Sequence, residues 1–308
     1  MNRRAAHRHL LALAALAGVA GCQTTPQAPP LAAPPAPPPP APPPPQPPVL
    51  RPPRVGLALG GGAARGFAHI GVIQVLEEAG IPIDLVAGTS AGSLVAALYA
   101  AGRNGAMLAR VALAMDESAI TDWAFPGRGL IRGEALARYV REQTGGKLIE
   151  QLPLPLGIVA TDLDNGQAVL FQRGDVGAAV RASSAVPAIF QPVKIGTREY
   201  VDGGLVSPVP VRFARQMGAD LVIAVDISSP PDGNATGDPF KLLLQTFAIM
   251  GRSINQFELK DADVVLRPRL AGMSGADFSA RQRAINAGRD AATAALPALR
   301  QRLAAASH

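Results

Sequence analysis

The chain has 308 residues, and setting aside the first 21 and the Pro-rich stretch behind them leaves about 255, the size of one ordinary α/β domain. Aromatic residues make up only 4% while glycine and alanine abound, which suits close helix-on-sheet packing and excludes a base-stacking nucleic-acid binder. The formal charge of +6 shrinks by three arginines, Arg3, Arg4 and Arg8, once the leader is removed, and no block of like charge remains to mark a polyanion-binding surface.

Residues 1–21 read as a cleaved export signal, with a basic start, an apolar run too short to cross a bilayer, and small residues before Cys22. Val19-Ala20-Gly21-Cys22 resembles the bacterial lipobox, whose cysteine becomes the lipidated first residue of the mature protein; the alternative is an ordinary signal with an incidental cysteine, here the only one in the chain. The resemblance implies several acyl chains and hence a stable anchor. Gln23 after the cysteine, rather than Asp, implies an outer-membrane protein facing the periplasm. Residues 22–53 follow as a tether: 17 of the 30 prolines lie between positions 26 and 53, which predicts polyproline II. At about 3.1 Å per residue the segment reaches on the order of 85 Å when extended.

From Arg54 to His308 short apolar runs alternate with helical patterns. Residues 54–60 read as a strand, 64–80 as a helix stopped by Gly80, 83–90 as a strand and 91–102 as a helix closed by Gly102. Later strands are expected over 154–163, 166–172, 198–202, 219–228 and 262–268, with helices over 133–142, 208–217, 240–259 and 281–303. Unbroken apolar runs are what strands covered on both faces look like, so a three-layer α/β/α fold with a mostly parallel central sheet is expected.

Gly88-Thr89-Ser90-Ala91-Gly92 matches G-x-S-x-G between a strand and a helix, where a sharp turn exposes a serine hydroxyl. The pattern alone is weak, and its context carries it. Such a serine needs a base. His7 and His9 leave with the signal, His69 sits in the first helix as an expected packed or surface residue, and His308 is the last residue, so a Ser-His-Asp arrangement is disfavoured and a carboxylate partner is expected. Asp202-Gly203-Gly204, behind a short strand, is the best candidate; a plain tight turn is the alternative, and Asp162, Asp164 and Asp226 compete.

Gly60-Gly61-Gly62-Ala63-Ala64-Arg65-Gly66 joins the first strand to the first helix, so that main-chain amides and a helix start can converge on an anion or an oxyanion. A Rossmann fingerprint fails because Arg65 or Ala63 stands where glycine is required, and a P-loop fails because Phe67 stands in place of lysine. Arg65 is expected to orient the loop, to meet a lipid phosphate, or to form a structural ion pair. No metal-ligand spacing of His, Cys and acids occurs, so neither metal nor cofactor is called for.

The glycine loop with its arginine, G-x-S-x-G some 25 residues on, and a late D-G-G together resemble the patatin-like phospholipase family, as does RASSAVPAIFQPV at 181–193. The resemblance implies a Ser-Asp dyad of Ser90 and Asp202, an oxyanion loop over Gly60, Gly61, Gly62, Ala63, Arg65 and Gly66, and elbow glycines Gly88 and Gly92. It implies a lipid acyl hydrolase acting on phospholipid or another fatty acyl ester, with an acyltransferase or a non-catalytic lipid-binding lipoprotein as alternatives. In the family register G-G-G-x-R-G the third glycine is Ala63, which serves if its φ is negative.

Overall fold

The computed structural model describes residues 51–122, 129–228, 239–273 and 277–306. The signal, Cys22, most of the Pro-rich tether and His308 lie outside the described residues.

β1 (Val55–Leu59) leads through a 3₁₀ turn at Ala63–Gly66 into α1 (Phe67–Glu78), and β2 (Leu85–Thr89) leads into α2 (Ala91–Ala100). Next come α3 (Gly105–Ala114), β3 (Gly129–Ile131), α4 (Glu134–Gln143), β4 (Leu156–Asp162) and β5 (Ala168–Phe171). α5 (Val176–Ser183), β6 (Ala188–Phe190), β7 (Val193–Ile195) and β8 (Arg198–Asp202) follow. Last are α6 (Val211–Gln216), β9 (Leu221–Val225), α7 (Pro239–Glu258), β10 (Val264–Leu266) and α8 (Arg281–Ala306).

The main sheet runs β10-β9-β1-β2-β4-β8-β7, with β5 also paired to β4, while β3 and β6 form a separate ribbon. The strands from β10 to β4 are mutually parallel; β5, β7 and β8 add antiparallel pairs. This is the expected mixed α/β fold with a mostly parallel sheet. Period-two alternation sorts the central strands between two cores. Leu57, Leu59, Val86, Ile223 and Val225 join α1, α2 and α8 on one face, whereas Ala58, Leu85, Ala87, Val222 and Ala224 meet the α6 side on the other. Both faces are covered, which is why no strand reads as amphipathic in the sequence.

The chain moves from β1 to β2 in one direction along the sheet and reaches β9 on the other side of β1, so the carboxyl end of β1 is a topological switch point. The Gly60–Gly66 loop leaves the sheet there. α1 is held in place by a close crossing with α8: a Cβ added at Gly71 would lie 1.9 Å from the Ile285 carbonyl oxygen, and one at Gly288 would lie 1.9 Å from that of Ala68.

Candidate active site

Ser90 occupies the turn between β2 and α2 at φ 53° and ψ −124°, a conformation that a non-glycine residue rarely adopts and that costs on the order of 1–3 kcal/mol. Its neighbours enforce it. Cβ atoms at Gly88 and Gly92 would come within 2.5 Å of the Gly92 carbonyl oxygen and 2.1 Å of the Leu59 carbonyl oxygen, so both elbow glycines are needed for contact rather than for φ. The Ser90 amide donates to Ser183 Oγ at 2.8 Å, and that hydroxyl in turn donates to the Val159 carbonyl at 2.5 Å. Thr89 Oγ1 donates to the Ser207 carbonyl at 2.9 Å, which ties the elbow to the loop that follows Asp202.

Strand register brings Asp202 to the same level. Thr89 pairs with Val159, and the next residue of β4, Ala160, pairs with Asp202 across the antiparallel β4–β8 ladder, so Asp202 lies one residue beyond the level of Thr89 on the sheet. Asp202 ends β8; its amide donates to the Ala185 carbonyl at 3.0 Å and its own carbonyl accepts from Thr161 Oγ1 at 2.8 Å. Its Oδ1 accepts from the Gly204 amide at 2.7 Å. A side chain at Gly203 would strike the Val159 carbonyl at 2.2 Å, so the turn after the aspartate is fixed against β4.

Asp202 is 6% exposed, and burial pushes its carboxyl up to about 6, with hydrogen bonding from Ser90 and from the Gly204 amide pulling the other way. Oδ2 is buried and makes no hydrogen bond of ordinary geometry, although Ser90 is the side chain that acts on this carboxyl.

The glycine loop packs beside them: a Cβ at Gly61 would meet Ser90 Cβ at 3.1 Å, one at Gly62 would strike Ile227 Cδ1 at 2.7 Å, and one at Gly66 would meet Ala91 Cβ at 2.8 Å. Two expectations about this loop are corrected. The amides of Gly60 and Gly61 are already committed, donating to the Val225 carbonyl at 3.1 Å and the Pro208 carbonyl at 2.9 Å, so neither can serve an oxyanion. Among the described residues, the amides of Gly62, Ala63 and Ala64 make no backbone hydrogen bond. Ala63 has φ +51°, not negative, in the left-handed region that a glycine would occupy without strain. Arg65 Nε donates to the Gly62 carbonyl at 3.2 Å, which fits the expected role of orienting the loop.

The competing carboxylates lie elsewhere. Asp162 pairs with Arg198, Asp226 faces Arg267 at 3.5 Å, and Asp164 is exposed on the turn after β4. Beside Ser90 an apolar slot of about 180 Å³ runs between α2 and the loop, with Phe67, Leu94, Leu108, Leu136, Val186 and Phe278 among its walls.

His69 is fully buried, and its Nε2 lies 2.8 Å from the Gly60 carbonyl, which can only accept, so Nε2 carries the proton. Burial drives the ring down to about 4, with the Gly60 carbonyl and the Asp226 charge opposing. Through that contact it props the loop. Because the folded value lies below the ordinary 6.5, the unfolded chain takes up a proton between pH 6.5 and about 4 that the native state refuses, and stability falls over that window as pH is lowered. Asp202 and Glu258, raised to about 6 and about 7 by burial, act with the opposite sign. The His69 contribution is therefore read as the stability difference between wild type and His69→Gln in urea titrations; it should shrink by about 3 kcal/mol between pH 7 and pH 4. A pH-independent difference would show that the imidazole is not held neutral.

Sequence reasoning missed Ser183, Thr89, Ser207 and Glu258. Ser183 lies inside the RASSAVPAIFQPV segment, a signal that could have found it, but Glu258 bonds the Ser207 hydroxyl from α7, 51 residues away, at 2.7–2.8 Å, which no local pattern announces.

Comparison with known proteins agrees with this architecture. An NTE family protein of Mycobacterium tuberculosis H37Rv, Rv1063c, is 43% identical over 185 residues, covering 59% of this chain and 51% of that protein. A second, Rv2565, is 34% identical over 274 residues, covering 79% of this chain and 46% of that protein. Patatin-like phospholipase domain-containing protein 6 of Mus musculus is 38% identical over 184 residues, 57% of this chain but 14% of that one. The chain thus spans about half the length of the mycobacterial relatives it matches. In structure it is similar to VipD of Legionella pneumophila, with a TM-score of 0.53 over 80% of this chain and 67% of that one at 15% identity, a likeness of fold. The profile described as patatin-like phospholipase matches residues 57–215, more than half of the sequence, and the chain belongs to that family.

Proposed function

We propose that this chain is a serine lipid acyl hydrolase of the phospholipase A, lysophospholipase or esterase type, with Ser90 as nucleophile and Asp202 as its base. What supports the reading is a buried carboxyl at Asp202, raised to about 6 and acted on by the Ser90 side chain, beside an apolar slot that Ser90 lines and a loop with amides uncommitted among the described residues. Family membership supports lipid hydrolysis as the class of reaction. Ionised Asp202 takes the Ser90 proton as Oγ attacks the ester carbonyl, and the Gly62 and Ala63 amides receive the developing oxyanion. Collapse expels the alcohol, which leaves with the proton held by Asp202. Water, deprotonated by the same carboxylate, then attacks the acyl-enzyme and releases the fatty acid, whose chain the slot accommodates.

A fluorophosphonate probe tests this directly. We expect one label per chain, recovered by peptide mass spectrometry on Ser90 and absent from Ser90→Ala, together with release of fatty acid from a phospholipid by wild type alone. A well-folded chain that takes no label would favour a lipid-binding lipoprotein instead.

We also propose that the protein is exported and anchored through lipidated Cys22, on the strength of the residue pattern at positions 1–22. Among the described residues no helix is long and apolar enough to cross a membrane. Metabolic labelling with a tagged fatty acid should mark the wild type and not Cys22→Ala; label retained by the variant would remove the anchor.

A further inference from the structure

A second cavity, about 570 Å³, opens beyond the carboxyl ends of β9 and β10 beneath α7 and shares no lining residue with the slot at Ser90. Among the described residues its walls carry three cations, Arg252, Lys260 and Arg267, against one acid, Asp226. Asp226 is occupied: it accepts from the Ser228 amide and hydroxyl at 3.1 and 2.6 Å and faces Arg267 at 3.5 Å. The cavity therefore retains an excess of positive charge from Arg252, which makes no ion pair among the described residues, and from Lys260, which rests over the Phe257 ring at 5.1 Å.

Asn255 supplies an independent sign of a ligand. It lines this cavity, is only 3% exposed, and neither its Nδ2 nor its Oδ1 has a hydrogen-bond partner among the described residues. Leaving both ends of a buried amide unmet costs about 1–3 kcal/mol per group, so such a residue calls for a physical reason. An apolar side chain would fill the same place without that cost.

We propose that this cavity binds a phosphate group that carries a hydroxyl. Guanidinium and ammonium groups neutralise the phosphate oxygens, Asn255 Nδ2 donates to one of them, and Asn255 Oδ1 accepts from the P–OH of a monoester or from a hydroxyl beside it. A wholly apolar ligand or a cation would leave the cationic wall unanswered. The source of the phosphate is either a lipid headgroup or a soluble phosphate ester. The headgroup is a physical option because α7, which forms one wall, also exposes Ile249, Met250 and Phe257 to solvent.

Isothermal titration of inorganic phosphate and of glycerol 3-phosphate into the full chain should give saturable binding. Arg252→Ala and Asn255→Leu should each weaken it by about tenfold or more, the loss expected for a hydrogen bond to a charged group. Arg252 is exposed, and Asn255→Leu removes two unmet polar atoms from a buried position, so the urea midpoint of each variant should be at or above that of wild type. Ser90→Ala should bind as wild type does, which separates this site from the acyl site. Phosphatidylcholine vesicles containing phosphatidic acid, but not phosphatidylcholine alone, should displace the small ligand if the source is a headgroup; small-ligand binding that both vesicles leave untouched assigns the cavity to a soluble ester. No saturable binding of either small ligand, or equal binding by wild type and both variants, overturns the proposal.

Discussion

Asp202→Asn should lower kcat/KM for a nitrophenyl or phospholipid ester by about three orders of magnitude, within the range a positioned general base supplies, while making the protein more stable above pH 6. The two effects share one cause. Burial raises the Asp202 carboxyl to about 6 from an ordinary 3.8. A group whose folded value is raised stabilises the native state fully below the unfolded value, and that contribution is lost as pH rises through the folded one. At pH 8 the ionised carboxylate thus costs on the order of 3 kcal/mol, a cost that the neutral amide avoids. The same shift governs activity: kcat/KM of the wild type should climb tenfold per pH unit up to about pH 6 and then level off, as the free enzyme's base loses its proton. Rate profiles and urea titrations on wild type and variant check both halves. A variant that keeps its activity, or a rate profile flat through pH 6, would remove Asp202 from the role of base.

Much of this site was legible in the sequence because its parts sit at the ends of regular elements. The run Leu85–Thr89 is apolar without alternation and ends at Gly88-x-Ser90-x-Gly92, so strand, turn and helix each announce themselves. The strand Arg198–Asp202 was read with its bounds as observed because Gly203 and Gly204 stop it. Counting histidines pointed the reading to a carboxylate, and His69, placed in the first helix as a packed or surface residue, is buried against Gly60. Elements such as α3, α5, β6 and β7 were not read, since they are short and rely on tertiary cover: β6 pairs only with β3, and α5 is stabilised by its Asp175 cap and by packing on α4. The loop was misread in detail for a different reason. Which amide of Gly60–Ala64 stays uncommitted depends on the Val225 and Pro208 carbonyls, more than 140 residues downstream, and the positive φ of Ala63 follows from that docking rather than from its own preference.

The other large effect concerns how the two halves of the site are held together. Gly92 opens α2 directly against the end of β1, and an alanine there would put its methyl 2.1 Å from the Leu59 carbonyl oxygen and 2.7 Å from that of Gly60. Those atoms are backbone at the end of a central strand and cannot swing aside, so α2 must move, taking Ser90 with it and parting it from the Gly60–Gly66 loop. We expect Gly92→Ala to lose about 3 kcal/mol of stability or more, and to lose activity even where it remains folded. Gly80→Ala is the matched control: Gly80 has φ +68° with nothing within 4 Å of an added Cβ, so it should lose only about 1 kcal/mol, from backbone strain alone, and keep full kcat/KM. Urea midpoints and ester hydrolysis on the two variants distinguish contact from conformation. If Gly92→Ala proved no worse than Gly80→Ala, the helix would not rest on β1 as closely as described, and the fixed spacing between Ser90 and the glycine loop would lose its structural basis.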